Sequence, residues 1–204
     1  MHNPYTPPTA NLDLINPSSP PTNEPLQYAG FWRRFGSYWI DFAILTPVVG
    51  ITYFLGEQVR LFYLYWLVPS LIVGLWFHVY LVTRYGGTPG KLLLQIRIAM
   101  VGGASITTKA AALRYSVLFV LSMLASIALT IAVLSMSDQE YFSLGYIARS
   151  QRMVALAPAW YKTIVILTQI WVWGEFVTML FNKKRRAVHD FLAGTVVVRS
   201  MKRT

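Results

Sequence analysis

Residues 113–135 read LRYSVLFVLSMLASIALTIAVLS, and after Arg114 no charged side chain interrupts them. A helix rises 1.5 Å per residue, so roughly 20 such residues cross the hydrocarbon core of a bilayer. A surface helix of a soluble domain would instead carry a polar stripe. This stretch therefore predicts a membrane-spanning helix, and three further runs repeat the pattern, at about 35–55, 62–82 and 160–181. The expected fold class is an all-α polytopic membrane protein with about four transmembrane helices. Trp32, Tyr38 and Trp39, then Tyr63, Tyr65 and Trp66, then Trp160 and Tyr161 crowd the ends of the runs. Amphipathic rings favour the headgroup region, which supports these spans. Pro47 and Pro69 fall inside spans one and two, where a membrane helix tolerates them as kinks.

Composition agrees. The 204 residues are 55% hydrophobic and only 13% charged, against about a quarter charged in soluble domains. The net charge of +10 would suggest nucleic acid for a soluble chain, but here the cations flank the apolar runs. No nucleic-acid partner is expected. Fourteen lysines and arginines precede span one, lie between spans two and three, or follow span four; four lie on the other side. The positive-inside bias places both termini and the 83–112 loop in the cytoplasm, in a cell inner (plasma) membrane. Residues 1–27 hold seven of the eleven prolines and no apolar core, so they read as a disordered cytoplasmic tail rather than a signal peptide. Residues 200–204 form a short basic end.

The loops are legible in part. Leu92 to Met100, followed by Gly102-Gly103 and Ser105 to Thr107, predicts a short cytoplasmic hairpin between helices 2 and 3. Tyr141 to Leu156 predicts a surface helix on the far side. Ser122, Ser126 and Thr130 make a small polar stripe on span three, expected to be a helix-packing face.

Ionisable groups within spans carry the functional signal, because each is costly unless paired or wetted. Three occur: Asp41, His78 and Glu175. Helix rise sets all three about 6–9 Å below the same face, which points to one polar cavity and makes them proton- or cation-binding candidates. Arg34 stands two turns before Asp41 on the same face and could neutralise it. Asp190, beyond the basic run 183–186, could meet Arg34 as a gate or structural ion pair. Simpler roles compete: a register-fixing pair for Arg34 and Asp41, packing for His78, a helix-to-helix hydrogen bond for Glu175, a lipid-headgroup anchor for the basic run.

Enzyme motifs fail. Gly86-Gly87-Thr88-Pro89-Gly90-Lys91 is one residue short of a phosphate loop, and Leu92 stands where Ser or Thr would bind magnesium. There is no HExxH, no GxSxG and no cysteine, and His189-Asp190 has no companion metal ligands. Neither enzymatic activity nor a cofactor or metal is expected.

Three segments together resemble the RDD family of bacterial integral membrane proteins: Gly30-Phe31-Trp32-Arg33-Arg34-Phe35 running to Ile40-Asp41; Gly87-Thr88-Pro89-Gly90-Lys91 with Leu92, Leu93 and Arg97; and Lys184-Arg185-Arg186-Ala187-Val188-His189-Asp190 with Leu192-Ala193-Gly194-Thr195-Val196-Val197. They cover about residues 28–199. The family is named for one arginine and two aspartates, which match Arg34, Asp41 and Asp190. The resemblance implies transport of ions or other solutes, sodium–proton exchange among them. The sequence thus supports a transporter or ion-coupled permease built on an intramembrane carboxylate. Four helices enclose little space, so that reading asks for a homodimer or larger assembly. The alternative is a non-transporting scaffold or accessory subunit whose buried charges are structural.

Overall fold

The computed structural model of the chain describes residues 26–200. Most of the expected 1–27 tail, and 201–204 of the basic end, lie outside the described residues.

Four long apolar helices dominate: α1 (Phe31–Gln58), a second run beginning with α2 (Phe62–Leu75), α5 (Thr108–Leu134) and α8 (Trp160–Phe181). Each is long and apolar enough to cross a membrane. Their outward faces are covered with large apolar side chains, such as Phe42 and Phe54 on α1 and Ile170, Trp173 and Phe181 on α8. In water such a surface would be untenable; in lipid it is the solvated face, while the backbone bonds stay within each helix. The second run widens into a π-helical turn at Trp76–Tyr80, continues as α3 (Leu81–Tyr85) and stops at Gly86, whose φ of 82° supplies a left-handed cap. The third helix begins earlier than its apolar run, because Thr107 caps it by accepting from the Ala110 amide at 3.2 Å.

Two ends complete the bundle. At one end, α4 (Pro89–Leu93), β1 (Ile96–Met100), α9 (Val188–Ala193) and β2 (Thr195–Arg199) form a small cap. Strands β1 and β2 pair antiparallel, with Ile98 opposite Val197. Ile98 and Val197 pack on Ala29, Val82 and Ala110, while Ala99, Val196 and Val198 are covered by Leu26 and Tyr28. This corrects the expected hairpin. The Gly103 turn does fold back, but the return arm is a lone bridge from Ala99 to Ser105. The ladder goes instead to the C-terminal β-branched run, which can bury both of its faces. The first part of that expected hairpin is helical, as α4.

At the opposite end, α6 (Asp138–Ser143) and α7 (Tyr146–Leu156) replace the single expected surface helix, broken at Leu144-Gly145. Tyr141 and Met153 pack on Val133 and Met136. The Tyr141 hydroxyl donates to the Gly56 carbonyl at 2.8 Å, and Arg149 pairs with Glu57. Arg60 donates to the Val133 and Met136 carbonyls at the end of α5, where a cation suits the helix dipole. Along the small polar stripe on α5, Thr130 is buried beside Tyr63 and Ser126 is half-buried, whereas Ser122 is exposed.

Candidate functional site

The site is assembled where α1, α4, α5, α8 and α9 meet beneath the sheet. Asp190 lies in the first turn of α9, and the Ala187 amide donates back to its Oδ2 at 3.0 Å. The same oxygen receives Arg34 from α1, and Oδ1 receives Arg114 from α5 together with the Thr195 hydroxyl at 3.0 Å. Asp190 is fully buried and Arg34 nearly so. Arg34 also donates to the Arg185 carbonyl, which a left-handed turn at Arg185 presents, and its Nε has no partner among the described residues. Burial alone would raise the Asp190 carboxyl, but the Arg114 and Arg34 guanidiniums outweigh it and hold the group well below the usual carboxylate range.

Arg114 extends the network. Its Nη2 approaches His189 Nε2 at 2.7 Å. A guanidinium only donates, so Nε2 accepts and the ring proton sits on Nδ1. Nδ1 lies 2.5 Å from Glu175 Oε1, which therefore accepts from it. The imidazole is neutral in this arrangement. Its pKa is lowered from 6.5, first by burial and then by the Arg114 charge.

Asp41 is held separately. Its Oδ2 accepts from the Thr88 hydroxyl at 2.6 Å and its Oδ1 from the Gly90 amide at 2.7 Å. A carboxylate from α1 thus caps α4, satisfying an amide that the short helix cannot bond internally. The contact requires glycine: a Cβ on Gly90 would collide with the Ser37 carbonyl and lie 2.8 Å from Asp41 Oδ1. The expected Arg34–Asp41 pair is therefore corrected. Among the described residues no ion pair joins them; Arg34 turns to Asp190 and Asp41 to the Thr88–Gly90 turn, because both loops offer closer partners.

Asp41, His78 and Glu175 all line one cavity of about 270 Å³. The π-helical turn carries His78, whose ring stacks on Tyr115 at 4.5 Å. Sequence reasoning missed three wall residues as site residues: His189, which it named only as lacking companion metal ligands, Arg114 and Lys91. Arg114, taken as a flanking charge, lies within α5 and reaches the centre of the network. Lys91, set aside with the failed phosphate loop, is buried, with Nζ 3.4 Å from the Thr88 hydroxyl and 4.8 Å from the Tyr38 ring centre. A cation immediately inside an apolar run, and one after a Gly-Thr-Pro-Gly turn, were the available signals. No group of three or more metal-type ligands occurs among the described residues.

No curated protein and no solved structure matches the chain. The family model described as the RDD family matches residues 28–194, a span that takes in all four long helices, the Arg34–Asp190–Arg114 cluster and the cavity wall. On that match, the chain belongs to the RDD family of multi-pass membrane proteins.

Proposed function

We propose that this chain is an ion-coupled permease whose proton site is Glu175 with His189. The observation that carries the reading is a difference among three carboxylates, Asp41 and Asp190 buried and Glu175 half-buried. Asp190 accepts four hydrogen bonds, and Asp41 has both oxygens bonded. Glu175 stands on the cavity wall with His189 as its one side-chain partner among the described residues. A carboxylate that must gain and lose a proton needs such a loosely committed setting. Asp41 then holds the wall of the cavity, and Arg34, Asp190 and Arg114 seal its sheet end. The positive-inside bias puts that end in the cytoplasm of a plasma membrane. Exchange of a small cation for a proton, the form that the family resemblance implies, would use the same carboxylate. The cavity lies among helices of one chain, so a homodimer is an addition to this mechanism rather than a requirement of it.

The test is flux in proteoliposomes carrying an internal pH dye, under imposed sodium, potassium and lithium gradients. Glu175→Gln abolishes proton movement while folded protein is recovered in normal yield; Asp41→Asn that folds retains it. Undiminished movement in Glu175→Gln would remove Glu175 from the pathway.

A scaffold reading is favoured by one observation, the saturation of Asp41 and Asp190 by internal partners. On that reading a well-folded wild-type protein gives no flux with any solute, and losses in the variants are losses of protein.

A further inference from the structure

The cavity's uncommitted polar groups include several donors, and one of them, Lys91, can only donate. Lys91 brings three N–H bonds and spends one, on a long contact to Thr88. The Tyr38 hydroxyl and the His78 ring line the same space and have no hydrogen-bond partner among the described residues. No ion pair within 4.0 Å engages Lys91 among the described residues. A small metal cation would need several oxygens here, but those of Asp41 are held by Thr88 and Gly90 and Glu175 Oε1 by His189. Among the cavity's carboxylate oxygens in the described residues, only Glu175 Oε2 is without a partner. A buried ammonium facing a cavity with its donors unspent calls for an acceptor, and an acceptor carrying negative charge answers it best.

The charge balance of the surroundings adds a second, independent argument. Around Glu175 stand Arg34, Asp41 and Tyr38 from α1, His78 from the π-helical turn, Lys91 from α4, Arg114 from α5, and His189 and Asp190 from α9. With the histidines uncharged, three cations (Arg34, Lys91, Arg114) face three anions (Asp41, Glu175, Asp190). A proton on Glu175 leaves one positive charge uncompensated in a low-dielectric site. A monovalent anion beside Lys91 restores neutrality.

We propose that the cavity binds a small monovalent anion at the Lys91 ammonium, together with a proton on Glu175. This deepens the permease reading and rests on it for its transport role, but the binding site itself does not require transport. The coupling is reciprocal: the proton raises anion affinity by the factor by which the anion raises proton affinity. In the linked range, anion affinity rises about tenfold for each pH unit lowered, for one proton per anion.

The experiment uses the purified full chain in detergent, weakly buffered with a pH indicator, titrated with sodium nitrate against sodium gluconate at matched ionic strength. Wild type takes up about one proton per chain as nitrate saturates, and none with gluconate. Lys91→Gln loses this uptake, and Lys91→Arg, which keeps the charge, retains it. Glu175→Gln still gains thermal stability from nitrate but takes up no proton. Should Lys91→Gln not fold, Tyr38→Phe replaces it and shifts the nitrate midpoint to higher concentration. No nitrate-linked uptake in wild type, or the same uptake in Lys91→Gln, overturns the site. Nitrate-linked uptake without proton flux in liposomes keeps the anion site and rejects the permease; cation-driven flux without nitrate-linked uptake does the reverse.

Discussion

Asp190 and Asp41 are both buried carboxylates, yet amide substitution should separate them. Asp190 stands between two buried guanidiniums. Asp190→Asn leaves Arg34 and Arg114 facing each other with no anion between them, and breaking a buried charge cluster in this way costs about 3–5 kcal/mol. Asp41 neutralises no direct partner; it accepts from one hydroxyl and one amide. In Asp41→Asn the side-chain oxygen can keep the Gly90 amide while its NH₂ donates to the Thr88 oxygen. The loss is then about 1.5–3 kcal/mol, the worth of a hydrogen bond to a charged group. Denaturant unfolding of the detergent-solubilised variants measures both, and equal losses would contradict the division of partners. A double-mutant cycle of Arg34→Ala with Asp190→Ala should show strong coupling, whereas Arg34→Ala with Asp41→Ala should be close to additive.

Among the elements, α4 is the most sensitive to a single methyl group. It docks on α1 through Gly90, where a Cβ meets the Ser37 carbonyl, a backbone atom that cannot swing aside. Gly90→Ala should cost about 1–3 kcal/mol by overpacking and detach Asp41 from the α4 amide. Cysteine labelling at Lys91→Cys, silent in the parent, should become fast in the Gly90→Ala background; continued protection would mean that α4 stays docked. The long helices could be read from the sequence because lipid leaves a backbone no local alternative to helix. Runs such as 113–135 therefore declare themselves without knowledge of their neighbours. The caps could not be read in the same way. Ile98 finds Val197, and Asp41 finds Thr88 and Gly90, across whole intervening helices, a pairing that periodicity does not see. The candidate site was half visible for the same reason. Glu175, His78 and Asp41 stood out as charges in apolar runs, whereas Arg114 and Lys91 passed as flanking cations until packing turned them inward.

The whole molecule carries its pH sensitivity at the junction of helix ends and sheet. His189 is packed against Arg114, Glu175 and Asp190, and its pKa lies below the ordinary 6.5. Below about pH 6.5 the unfolded chain binds a proton there that the folded chain refuses, so stability falls as pH falls. While that difference persists the slope is about 1.4 kcal/mol per pH unit for one proton. Asp190 adds a second limb lower down. Its folded pKa is depressed, so its contribution is complete above the ordinary carboxylate value of 3.8 and is lost as pH falls below it. The thermal midpoint in detergent should therefore decline as pH falls below about 6.5, and drop more steeply once pH falls below the ordinary carboxylate value of 3.8. His189→Gln keeps an amide that can donate to Glu175 and accept from Arg114 but cannot titrate. It should make the upper limb shallower by one proton and leave the lower limb in place. An upper limb unchanged in His189→Gln would assign that sensitivity to a different group and break the link between the Glu175–His189 pair and the stability of the fold.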